Sequence, residues 1–131
     1  MIRFTIDAVP RSKKNSQKIV VNKKTGRPFI MYSDAYKAYR KAALMLIPPE
    51  ARQHIDYPVN VRALFYMETR RKVDLNNLSE ALCDVLTDAG VIEDDNSGIV
   101  AGMDGSRVLY CKEHPRTEVE IIPMEEWGDL V

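Results

Sequence analysis

Ile2, Phe4 and Ile6 alternate with Arg3, Thr5 and Asp7 near the start of the chain. That is the period of a strand with one buried face, and Pro10 ends the run. Residues 18–21 and 29–32 flank Lys23, Lys24, Thr25 and Gly26, which predicts a hairpin with a basic, glycine-bearing tip. Ser33 suits an N-cap and Asp34 the first turn of a helix carrying Tyr36, Tyr39, Ala43 and Leu46 on one side. Lys37, Arg40 and Lys41 cover another side, and Pro48 and Pro49 stop the helix. Tyrosines at this spacing read as core before they read as a base-stacking surface. Val59, Val61, Ala63 and Phe65 alternate again and predict a central strand. Leu75, Leu78, Leu82, Val85 and Leu86 recur at helical spacing, with Gly90 where a C-terminal cap belongs. Short strands follow at 99–103, 107–112 and 117–122, joined by Asp104-Gly105 and His114-Pro115. The order predicts an α+β fold: a mostly antiparallel or mixed sheet with two main helices packed on one face.

At 131 residues, 45% hydrophobic and 29% charged, the chain fits one domain over residues 1–122 with a short tail at 123–131. Two cysteines are too few for a disulfide framework or a zinc knuckle. Cys83 and Cys111 lie in apolar stretches and are expected as reduced core residues of a cytoplasmic protein. No run approaches the roughly 18 apolar residues of a membrane span, and the N-terminus lacks an apolar signal core. The formal net charge is zero but unevenly distributed. Residues 1–60 carry 12 basic and 4 acidic side chains, residues 61–131 carry 7 and 15. That asymmetry suggests a polyanion partner on one face and a cation-holding acidic locus on the other; two solvated halves attracting each other is the plainer account.

Chemistry concentrates in residues 70–96, RRKVDLNNLSEALCDVLTDAGVIEDDN. Asp74 stands where a strand gives way to a helix, Asn76 and Asn77 occupy its first turn, and Asp94 and Asp95 follow the helix in a loop. If the strand near Ile99 pairs beside the central strand, the returning chain can carry Asp95 toward Asp74. The pair would then suit magnesium, a hard cation taking one or two carboxylates plus substrate phosphate oxygens. Such an ion activates water and steadies the leaving oxygen of a phosphodiester. The alternative makes Asp74 only a helix cap and the 93–95 acidic run a solvated turn. A calcium loop at 93–104 fails at its first and twelfth positions, held by Glu93 and Asp104. There is no G-x-S-x-G elbow, no Walker or dinucleotide fingerprint, and His54 and His114 read as surface residues.

VDLNNLSEALCDVLTDAGVIEDDN resembles the signature of the RusA-type crossover junction endodeoxyribonucleases, especially their phage-borne relatives. PRSKKNSQKIV resembles the N-terminal loop of that family and YSDAYKAYRKAALML its first helix, so the resemblance spans roughly residues 2–122. It implies a small magnesium-dependent homodimer, with manganese a substitute, that binds four-way DNA junctions and resolves them by paired nicks. By position, Asp74 matches the first catalytic aspartate, Asp95 the last with Asp94 beside it, and Asn77 the motif's asparagine. Asn76 replaces the middle aspartate and Glu80 a supporting lysine. The resulting expectation is catalysis by Asp74, Asn76 and Asp95, with metal on Asp74, Asp95 and Asp94. DNA would be held by Lys13, Lys14, Asn15, Arg70, Arg71, Lys72 and Asn77, with the 23–27 hairpin tip a further phosphate contact. The departures at Asn76 and Glu80 keep a second expectation open, a branched-DNA-binding protein with weak or no cleavage.

Overall fold

The computed structural model describes residues 1–13 and 17–124, the first two residues of the second strand by backbone alone. Its elements are β1 (Ile2–Ile6), β2 (Gln17–Val21), β3 (Pro28–Tyr32), α1 (Asp34–Leu46), β4 (Val59–Met67), α2 (Leu75–Asp88), β5 (Val100–Gly102), β6 (Arg107–Tyr110) and β7 (Arg116–Pro123).

β4 organises the main sheet. It runs antiparallel to β7, with Val61 opposite Ile121 and Phe65 opposite Thr117. Its other edge takes two parallel strands, β5 near Val59 and β6 from Leu64 to Met67. β1 completes the order β1-β7-β4-β5, with β6 also beside β4. The sheet is therefore mixed, as the pattern predicts. Ile6, Val59, Val61, Ala63, Phe65 and Ile121 are buried toward the helices, each large aliphatic among them contributing about 1.5–3 kcal/mol. Several alternate positions on the other face are charged and paired across strands: Arg3 meets Glu120 at 2.9 Å. One covered face and one wet face produce the period of two seen in the sequence.

Ser33 caps α1 by accepting from the Tyr36 N–H at 3.2 Å. The buried stripe is Tyr36, Tyr39, Ala43 and then Ile47, while Leu46 is exposed, contrary to expectation. The helix ends at Leu46, and the extended Ile47 turns inward just before Pro48. α2 buries Leu78, Leu82, Val85 and Leu86 as expected, with Leu75 only half-buried. Gly90, at φ +76°, follows the last turn in the left-handed conformation that a side chain resists. Cys83 is buried, but Cys111 is half-buried at the end of edge strand β6. The apolar run at 108–110 lies on that edge, each of its residues exposed, which corrects the core expectation for Cys111.

The loop after α2 is built into the frame. Arg52 donates to the carbonyls of Leu44, Ile47 and Ala89, joining the otherwise unpaired C-terminal ends of both helices. His54 N–H donates to Gly90 O at 2.9 Å, Ile55 N–H to Val91 O at 3.0 Å, and Glu93 N–H to Ile55 O at 2.9 Å. The chain therefore reaches Asp94 from a fixed backbone.

Candidate active site

The C-terminal end of α2 opens onto a cavity of about 400 Å³ lined by Asp84, Asp94, Asp95, Lys13, Tyr32 and Tyr36 among others. Asp84 projects from the third turn of α2, half-buried, and forms an ion pair with the Lys13 ammonium. Asp94 folds back on its own loop, accepting from Asp95 N–H at 2.8 Å and from Asn96 Nδ2 at 3.1 Å. Those bonds hold the Asp94 carboxyl below its ordinary range. Asp95 behaves oppositely. Burial, its hydrogen bond to Asp94 and the charges of Asp84 and Asp94 hold its carboxyl above the ordinary value. Carboxylates that repel in this way favour a cation between them.

The donor chemistry fits a hard divalent ion, since every candidate ligand is a carboxylate oxygen. Lys13 supplies the stand-in: an ammonium rests on Asp84 where positive charge is favoured. Among the described residues no group of three or more His, Cys, Asp or Glu is placed so that it could hold a metal ion.

The N-terminal end of α2 is different. Asp74 is exposed and caps the helix, its Oδ1 accepting from Asn76 N–H at 2.9 Å. Ten residues of helix put Asp74 about 15 Å along the axis from Asp84. β5 does pair beside β4, Val59 opposite Val100. The loop it draws back brings Asp95 against Asp84 and Asp94, and Asp74 does not line their cavity. Asn76 is exposed and Asn77 half-buried. Basic residues gather at this end. Arg70 stacks over the Tyr110 ring at 4.2 Å, and Arg71 and Lys72 line a hollow of about 560 Å³ with Arg11 and Ser12. Arg11 is tied to Glu68 at 2.9 Å. Lys14 and Asn15 lie outside the described residues. Lys13 and Ser12 are consecutive residues, and one lines each cavity, so the 11–13 segment links the two ends of α2.

Asp84 is the site residue that the sequence reading overlooked. A signal was present: Asn77, Glu80, Asp84 and Asp88 step by three or four residues and trace a polar stripe along an otherwise apolar helix. Asp88 ends the stripe in an ion pair with Arg40 at 2.8 Å. His54 and His114 are exposed, as expected, His114 reaching Asp7 at 2.5 Å.

Carboxylates therefore line a cavity toward the C-terminal end of α2, and basic residues line a hollow near its N-terminal end. The family model described as Endodeoxyribonuclease RusA matches residues 7–122, and the chain belongs to that family. Members are Holliday-junction-resolving endonucleases that act on branched DNA. Comparison with curated proteins finds no match. Among the described residues, no helix is long and apolar enough to cross a membrane.

Proposed function

We propose that this RusA-family endodeoxyribonuclease resolves four-way DNA junctions by magnesium-dependent paired nicks, cutting at the Asp84–Asp94–Asp95 cavity. The observation that carries the reading is the convergence of these carboxylates beside Lys13 in a chain of this family. Asp95 and Asp94 would hold the metal, and Asp84, paired here with Lys13, would be the further carboxylate available to it. Asp74, the first aspartate of the motif, and Asn76 lie at the other end of α2, Asp74 about 15 Å along the axis from Asp84, and would act on the substrate from there. When bound, the ion supplies a water of lowered pKa and neutralises charge on the phosphate. Arg71 and Lys72 grip the strand upstream of the cut through its phosphates, and Lys14, Asn15 and Asn77 extend that grip. Arg70, held over the Tyr110 ring, adds a preorganised guanidinium. A homodimer supplies two such sites, because two coordinated nicks across a two-fold junction are best met by a two-fold protein.

A synthetic four-way junction incubated with protein and Mg²⁺ or Mn²⁺ tests this. Cleavage that disappears in Asp95→Asn while junction binding persists supports the nuclease. Tight binding by the wild-type chain with no cut under either metal assigns it instead as a branched-DNA binder, the reading motivated by Asn76 and Glu80. Sedimentation at micromolar concentration tests the dimer, which a purely monomeric profile would overturn.

A further inference from the structure

β2 and β3 pair only with each other and form a two-stranded sheet apart from the main one. Such a ribbon is marginal in water unless something covers it. Directly opposed residues share a face, so Ile19 with Ile30 and Val21 with Pro28 make one apolar surface. That surface is bare: Ile19 is 77% exposed, Val21 57% and Ile30 56%. At the alternate positions Val20 and Met31 are partly covered, while Phe29 is 44% exposed. The tip is held in shape. Asn22 Oδ1 accepts from Lys24 N–H and Thr25 N–H, and Gly26 takes the positive φ that closes the turn. Lys23, Lys24 and Arg27 are exposed on it, and among the described residues no carboxylate pairs with them. From residue 17 to 32 the sequence has four basic residues and no acidic one.

We propose that this hairpin recognises the branch itself, its Ile19–Ile30 face lying against bases that lose a stacking neighbour at the crossover while Lys23, Lys24 and Arg27 hold the flanking phosphates. The inference rests on the branched-DNA reading above and deepens it. Charge complementarity selects the occupant: a polyanion matches an all-cationic ribbon, whereas a second copy would bring two such ribbons together with like charges. Aliphatic side chains serve as wedges at unstacked base steps, and continuous duplex offers no such bare base face. Position agrees. β3 ends at Tyr32, which lines the carboxylate cavity, and five extended residues reach about 17 Å from it. At about 3.4 Å per phosphate along one strand, the tip meets the backbone about five nucleotides from the cavity.

The test compares the affinity of the full-length protein for a four-way junction and for a continuous duplex of the same arm sequence. In Ile19→Thr/Ile30→Thr, which keeps β-branched side chains at exposed positions, junction affinity should fall about tenfold and duplex affinity should stay within about twofold. Lys23→Gln/Lys24→Gln should weaken both together and flatten the salt dependence. An unchanged junction-to-duplex ratio in the threonine variant overturns the proposal. So does a wild-type dimer that the same variant turns to monomer with its junction preference intact, because the face then belongs to a second copy. If the threonine pair fails to fold, Ile19→Thr alone gives the same readout. A wild-type chain with no preference for junctions overturns the branched-DNA reading instead, which separates the two failures.

Discussion

The two ends of α2 carry acids of the same kind in opposite circumstances. At the N-terminus Asp74 has its partner in the backbone, a capping bond to Asn76 N–H. Toward the C-terminal end Asp84, Asp94 and Asp95 line one cavity, with Lys13 paired to Asp84 and Lys37 and Arg40 also on its wall. A carboxylate satisfied by the helix contributes to stability, whereas carboxylates that repel one another store a demand for positive charge. The contrast separates the acid whose structural task is visible from the acids whose arrangement needs chemistry to explain it.

Substitutions at each end put this difference to measurement. The largest effect is expected from Asp95→Asn, which should lower junction cleavage about 100-fold or more, with binding nearly unchanged in a gel-shift titration. Asp84→Asn should weaken cleavage less. It should also cost up to about 1 kcal/mol in urea unfolding, because it removes the carboxylate charge from the Lys13–Asp84 ion pair. Gly90→Ala comes next. Its new Cβ would meet His54 Cε1 at 2.8 Å at a φ of +76°, so about 1–2 kcal/mol should be lost in urea unfolding. Cleavage should fall too, since this glycine leads into the Asp94–Asp95 loop. Asp74 divides by substitution: Asp74→Ala should cost about 1 kcal/mol through the lost cap, while Asp74→Asn keeps the cap and leaves stability unchanged. If Asp74→Asn nevertheless matches Asp95→Asn in lost cleavage, the two ends work as one catalytic unit. The smallest effect is chemical. Burial pushes the Cys83 thiol up to about 12, so iodoacetamide at pH 8 should label the folded protein once, at Cys111, and twice after denaturation.

Local pattern carried much of the fold. Alternation marked β1 and β4, helical spacing marked α1 and α2, and Ser33 and Gly90 marked helix ends, because capping and periodic burial depend on neighbours in the chain. The misses share a cause. Leu46 and Ile47 differ by one helical position, and which of them turns inward depends on where the helix stops. The apolar run before Cys111 gave no sign that β6 would lie on an open edge.

The candidate site divides along the same line. Residue chemistry and family resemblance singled out Asp74, Asp94, Asp95 and the basic residues around Arg70 from the linear sequence. The tertiary structure decided their company, because an ion pair or a charge repulsion depends on distance through space and is indifferent to separation along the chain. Asp84 joined Asp95 only once α2, the Arg52 clamp and the β4–β5 pairing had turned the loop back, and Lys13 joined Asp84 across 71 positions of sequence. The apolar positions of the chain determined that an α+β sandwich would form; its closure determined which charges meet.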